Sequence, residues 1–144
     1  MNFYHSILEK LKHKDLLIAV CPEVDGGMTI PRIPCELQKQ PAEIFTQLEG
    51  VVNQRGDNMT DYFIRGVRKI DPLLEKYTIE FAILKEHSPS CGVTTVYDGT
   101  FTGARIPGEG LMAFYLRKNH IQVFSENQLT ELYATLIRQK WQLN

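Results

Sequence analysis

Lys85-Glu-His-Ser-Pro-Ser-Cys-Gly92 follows directly on the apolar run 79–84, and this junction decides the fold class. Ile79, Phe81, Ala82, Ile83 and Leu84 make a short apolar segment of the kind buried on both faces of a parallel sheet. The chain then turns polar through Ser-Pro and closes on Cys-Gly. In open α/β sheets, the loops after the carboxyl ends of strands are where ligands bind. A second junction of this type follows residues 16–20, in Cys21-Pro-Glu-Val-Asp-Gly-Gly27. Each loop sets a thiol beside a carboxylate or hydroxyls, so the pair predicts one shared site.

Working outward, Phe3, Ile7, Leu8 and Leu11 share a helical face over 3–12. Residues 16–20 read as the first buried strand, stopped by Pro22, which cannot continue a ladder. The Gly- and Pro-rich stretch 23–34 is long for a mere connection, and such loops are often functional. Its one cation, Arg32, reads either as an anion or substrate-carbonyl contact or as a solvated loop arginine. Ile44-Phe-Thr46 and Val51-Val52 suggest a small hairpin or an irregular excursion. Asp57 or Thr60 can cap a helix carrying Tyr62, Phe63, Val67 and Ile70, which Asp71-Pro72 kinks or restarts. Residues 93–103 alternate β-branched and aromatic side chains around Asp98-Gly99, a hairpin signal. A helix over 111–119, a strand over 121–124 and a C-terminal helix beginning after Ser125-Glu-Asn127 complete the pattern. Helix–strand alternation of this sort predicts one α/β domain over 1–144, a mostly parallel sheet flanked by helices on both faces, Rossmann-like and three-layered.

Composition narrows the function classes. At 144 residues the chain has enough length to bury a sizeable core, and its net charge of −1 offers no excess basic surface for nucleic acid. No apolar run approaches membrane-spanning length and the first residues lack a signal-peptide pattern, so a cytoplasmic protein without a membrane partner is expected. Three cysteines with no C-x-x-C pair do not make a disulfide framework, a zinc ribbon or a thioredoxin motif. They leave two readings: buried inert thiols, or a three-thiolate metal site. A third reading, Cys91 as a nucleophile with His87 as its base, needs a hydrogen bond that this spacing does not guarantee.

Six motifs now stand in order. They are Val20-Cys-Pro-Glu-Val-x-Gly-Gly27, Pro31-Arg-x-Pro-x-Glu36, Gly56-Asp-x-x-Thr60, Lys85-x-x-Ser-Pro-Ser-Cys-Gly92, Tyr97-Asp-Gly-Thr-Phe-Thr-Gly103 and Gly108-Glu-Gly110. Together they resemble the small bacterial family catalogued as domain of unknown function five-two-three, whose members include thiouracil desulfurase-type enzymes. The resemblance covers about 16–126. It implies a cytoplasmic iron–sulfur enzyme in which three cysteines hold a four-iron–four-sulfur (4Fe–4S) cluster. One iron is left open to take the sulfur of a small thiolated substrate, with oxygen supplied by water. Cys21 and Cys91 match two family ligands. Glu23 and Ser88 are the expected groups for moving protons and activating water, with Ser90 and Lys85 behind them. Arg32 and Gly92 are the expected substrate contacts.

One departure accompanies the match. Family members begin with a further strand ending in Cys-Leu-Leu-Gly that supplies the third cysteine, and no cysteine precedes Cys21 here. Cys35, in Pro34-Cys-Glu36, is the candidate to replace it. The alternative is a non-catalytic or divergent member of the same fold, its cysteines buried or binding zinc. A lost edge strand would leave ladder groups unpaired, so pairing into a homo-oligomer is a further expectation.

Overall fold

The computed structural model describes residues 17–28 and 33–139. The helix expected over 3–12, Leu16 and Arg32 lie outside the described residues. The first described element, α1 (Pro22–Asp25), is a single turn begun by Pro22, whose fixed φ suits the first helical position. β1 (Cys35–Leu37) pairs antiparallel with β2 (Val51–Asn53), Cys35 opposite Asn53. Between them lies α2 (Pro41–Gln47), so the hairpin expected across 44–52 does not form. Pro41 has no N–H for a ladder and presets helical φ, and Ile44 turns fully into the core.

α3 (Thr60–Arg68) and α4 (Asp71–Lys76) follow, with Pro72 restarting the helix as expected. Thr60 is the first helical residue rather than a cap. Its Oγ1 accepts from the Val51 N–H at 3.0 Å and meets Asn58 Oδ1 at 2.6 Å, tying α3 to β2. β3 (Phe81–Leu84) runs parallel to β6 (Gln122–Ser125), in register from Phe81–Gln122 to Leu84–Ser125. β4 (Thr95–Tyr97) and β5 (Arg105–Pro107) form an antiparallel hairpin, and α5 (Leu111–Lys118) and α6 (Leu129–Arg138) flank β6 in sequence.

The expected mostly parallel, Rossmann-like sheet is therefore corrected to a mixed α/β domain. Among the described residues there are three two-stranded sheets, and only β3–β6 is parallel. Residues 17–20 are not a strand, and Leu17, Ile18 and Val20 are 41%, 46% and 39% exposed. The cause is local. Pro34 precedes β1 and Pro107 ends β5, and proline cannot donate to a ladder, so strands of three residues find only a sequence-near antiparallel partner. The layered expectation does hold around β3, where successive side chains point to opposite faces. Ala82 and Leu84 join the main core with Phe63, Val67, Leu111 and Met112. Phe81 and Ile83 pack into a separate cluster under α6, with Phe124, Leu129, Leu132 and Leu136.

What positions the future site is the seating of α1 on α3. A methyl group on Gly66 would lie 1.6 Å from the Pro22 carbonyl oxygen, and one on Gly26 would lie 1.8 Å from that of Tyr62. Neither obstacle is a flexible side chain, so both backbones are in direct contact and only glycine fits. Gly66→Ala is expected to lower stability by about 2–4 kcal/mol in urea denaturation, because overpacking against backbone cannot relax cheaply. A change within about 0.5 kcal/mol, the range of a neutral surface substitution, would show that α1 is not seated this way.

Candidate active site

The turn seated on α3 carries Cys21 at its start and Glu23 within it. The Cys21 N–H donates to Asp25 Oδ2 at 3.2 Å, and its carbonyl accepts from the Asp25 N–H at 2.8 Å, closing the turn on itself. Glu23 is half-buried, and its Oε2 accepts from the Ser90 hydroxyl at 3.1 Å. This bond joins the two cysteine-bearing loops across the fold.

Loop 85–95 is built around two acceptors. The Ser88 Oγ takes the N–H groups of Ser90 and Cys91, each at 3.1 Å. With both lone pairs engaged, its own proton goes to Ser90 Oγ, 2.9 Å away. Ser90 is 1% exposed, and its single proton is within reach of two acceptors, Glu23 Oε2 at 3.1 Å and the more distant Cys91 Sγ at 3.6 Å. The outcome is a directed chain, Ser88 to Ser90 to the Glu23 carboxylate, alongside a thiol. The second acceptor is Glu86, 6% exposed. Its Oε1 takes the N–H groups of Val93, Thr94 and Thr95 at 2.7, 2.8 and 3.1 Å, and its Oε2 takes the Thr94 hydroxyl at 2.9 Å. Burial works to raise the Glu86 carboxyl, but these donors outweigh it and hold the group down at about 2.

The loop also docks on the start of α5. Gly110, Leu111 and Met112 donate their N–H groups to the carbonyls of Gly92, Pro89 and Ser90 at 2.8, 3.0 and 2.7 Å. Helix-terminal N–H groups that lack an intrahelical partner are satisfied in this way. Gly92 itself is buried, and a Cβ there would lie 2.8 Å from the Thr95 carbonyl oxygen, so its place is the loop's own close packing.

Burial pushes the Cys91 thiol up to about 11; the Ser90 hydroxyl opposes this, while the charges of Glu23 and Cys21 add to it. Cys21 opens the turn whose Glu23 accepts from Ser90, the residue before Cys91, so the two cysteine-bearing segments meet through Glu23. A thiol so raised is protonated at neutral pH and is no free nucleophile. His87, the base of the nucleophile reading, is engaged elsewhere, with Nδ1 2.6 Å from Thr95 Oγ1 and Nε2 2.7 Å from Arg105 Nη1. The guanidinium can only donate, so Nε2 accepts and Nδ1 carries the proton.

Cys35 stands apart from this arrangement. It is 7% exposed within the main core, and its Sγ donates to the Ile33 carbonyl at 3.5 Å. It does line a cavity of about 410 Å³ that also has Glu23 on its wall. Lys85 is exposed at the end of β3, outside the hydroxyl–carboxylate chain. Sequence reasoning gave Glu36 only a place in a motif and Glu86 no role, because a carboxylate that serves backbone N–H groups leaves no periodic signal of that role.

Two thiol-bearing loops joined through a carboxylate–hydroxyl chain, on a mixed α/β frame with a cavity beside Glu23, define a cysteine-bearing α/β domain. The chain belongs to the 2-thiouracil desulfurase family, whose family model matches residues 1–128. It is 32% identical over 126 residues to the uncharacterized protein YbbK of Bacillus subtilis (strain 168), covering 87% of this chain and 83% of that one. It is also similar to the solved structure of the 4Fe–4S-dependent thiouracil desulfidase TudS. There the TM-score is 0.80 at 41% identity, covering 90% of this chain and 80% of that chain. The protein is thus a member of a desulfurase-like family with an iron–sulfur relative. Among its described residues no helix is long and apolar enough to cross a membrane.

The donor set can be tested against a cluster held by three protein thiols. Soft thiolates suit iron–sulfur ligation, and the segments bearing Cys21 and Cys91 meet through Glu23. The third thiol, Cys35, points at Ile33 instead, and no group of three His, Cys, Asp or Glu among the described residues is arranged to hold a metal ion. The described residues therefore do not complete such a site in this conformation.

Two predictions follow from these electrostatics. Because the folded Glu86 carboxyl lies below the ordinary 4.5, its contribution to stability is fully present above pH 4.5 and is lost as pH falls towards 2. Unfolding free energies of the native chain, from denaturant curves, should fall through that window by on the order of 2 kcal/mol more than those of Glu86→Gln; parallel pH dependences would remove the clamp. In the metal-free chain, alkylation of Cys91 by iodoacetamide, followed by peptide mass mapping, should be slow near neutral pH and climb towards about pH 11. Glu23→Gln should move that climb to lower pH, and an unmoved profile would separate Glu23 from the thiol.

Proposed function

We propose that this chain removes sulfur from a small thiocarbonyl compound, releasing hydrogen sulfide and leaving the carbonyl. The observation that carries this reading is the hydroxyl chain from Ser88 through Ser90 to Glu23, which ends beside Cys91. Replacing sulfur by oxygen consumes one water and yields one sulfide. Attack at the carbon needs that water deprotonated, and the departing sulfur needs protons. Glu23 is the acceptor for a water proton as the oxygen–carbon bond forms, and the hydroxyl pair is the route by which a proton is redistributed when the carbon–sulfur bond breaks. Family membership and the likeness to TudS support the substrate class.

Cys21 and Cys91 are the thiolates this chain offers to a cluster. Cys35 is the proposed third, which requires its Sγ to turn from the Ile33 carbonyl towards the cavity it shares with Glu23. The burial and engagement of Cys35 favour the second reading, a non-catalytic member with inert or zinc-bound thiols.

Anaerobic reconstitution with iron and labile-sulfide analysis, followed by sulfide release from 2-thiouracil, separates the two. A brown, iron-containing protein is expected, and a colourless one supports the second reading. Cys21→Ser and Cys91→Ser should lose iron. Cys35→Ser should lose it too if Cys35 is the third ligand; retained iron would mean that the third ligand comes from elsewhere. Glu23→Gln and Ser88→Ala should keep iron and lose about 10²–10⁴-fold in rate, the usual worth of a positioned acid–base group. A loaded protein that releases no sulfide from any thiocarbonyl would sink the catalytic reading.

A further inference from the structure

The cavity beside Glu23 is lined on its other sides by Glu36, Gln54, Pro89, Tyr97 and Phe101. Phe101 is backed by an unusual backbone. Its φ is +59°, a left-handed conformation that a bulky side chain rarely adopts. Such strain persists only where the surroundings over-determine it, and it gathers at ligand-binding positions. Here the surroundings are explicit. The buried Glu36 carboxylate accepts the N–H groups of Gly99 and Phe101 at 2.9 and 3.2 Å, while the Gln38 side-chain amide donates to the Gly99 carbonyl at 2.7 Å. Asp98 Oδ1 takes the Thr100 N–H and hydroxyl at 2.9 and 2.6 Å. All this fastens an aromatic residue that belongs to neither hydrophobic cluster of the described residues. The half-buried Phe101 is held for the cavity and not for the core.

Across the same cavity, Gln54 follows β2. Its backbone N–H is fixed to the Pro34 carbonyl at 3.0 Å, while the residue itself is exposed. A primary amide offers a donor and an acceptor side by side, which complements the N–H and C=O (or C=S) edge of a ring amide. An aromatic residue, an exposed amide residue and a carboxylate lining one cavity suit a flat heterocycle better than an open-chain thioamide.

We propose that Phe101 is the stacking platform and Gln54 the edge reader of a slot for a planar cyclic amide or thioamide, so that these two residues set substrate choice. The inference rests on the desulfuration reading and assigns its specificity. Binding can be measured without any cluster, by NMR titration of the metal-free full chain with uracil, the ring product. The control is 5,6-dihydrouracil, which keeps the amide edge but loses ring planarity. Phe101→Leu should weaken uracil by about tenfold, the scale of one base–aromatic stack, and weaken dihydrouracil far less. Phe101→Tyr should restore the difference. Gln54→Ala should weaken both ligands alike, by about fivefold, the scale of a lost hydrogen bond.

Equal losses for the two ligands in Phe101→Leu, or no loss for uracil, would overturn the platform. Unchanged binding in Gln54→Ala would overturn the edge reader, and a native chain that does not bind uracil would overturn the slot altogether. A chain that releases sulfide but does not bind uracil keeps the desulfuration reading and loses this one. A chain that binds uracil through Phe101 and releases no sulfide does the reverse.

Discussion

Direct backbone contact between α1 and α3, at Gly26 and Gly66, is the constraint from which the rest of the site is hung. Because each glycine meets a carbonyl oxygen of the other element, the turn carrying Cys21 and Glu23 cannot shift without breaking that seat. Glu23 is thereby fixed by main chain rather than by its own flexible stem. Ser90 reaches it from a loop that is itself pinned on both flanks, by Glu86 on the Val93–Thr95 amides and by the first N–H groups of α5 on its carbonyls. Positioning by backbone and buried carboxylates costs little side-chain entropy once the fold is made.

The same arrangement sets the chemical temper of the thiols. Cys91 is raised by burial and by the negative neighbour that the relay requires, so without a metal it is a quiet, protonated group. A soft cation would reverse this, since metal binding displaces the proton and supplies the missing positive charge.

Much of this was legible in the residues, for reasons that can be named. The loops at Cys21 and Cys91 announce themselves by local motif, and α3, α5, β6 and α6 by the period of their apolar residues. The helix α2 was misread as a strand because Ile44 and Phe45 are β-formers; Pro41 and the burial of Ile44 against α5 and α3 overrode that preference. Residues 17–20 carry a strand's composition without a ladder partner among the described residues, which no propensity can reveal. Arg32 could be named but not placed. The roles of the carboxylates Glu36 and Glu86 were opaque, although Glu36 stood in a motif, because each serves backbone groups, Glu36 those of residues far along the chain.

The pairing of β3 also sets an order of events during synthesis. Among the described residues its one ladder partner is β6, and the amide of Glu86 is held by Glu126, just beyond β6. On a ribosome, the strand ending at Leu84 therefore waits for its ladder partner, and the Glu86 amide for its acceptor, until Gln122 and Glu126 have left the tunnel.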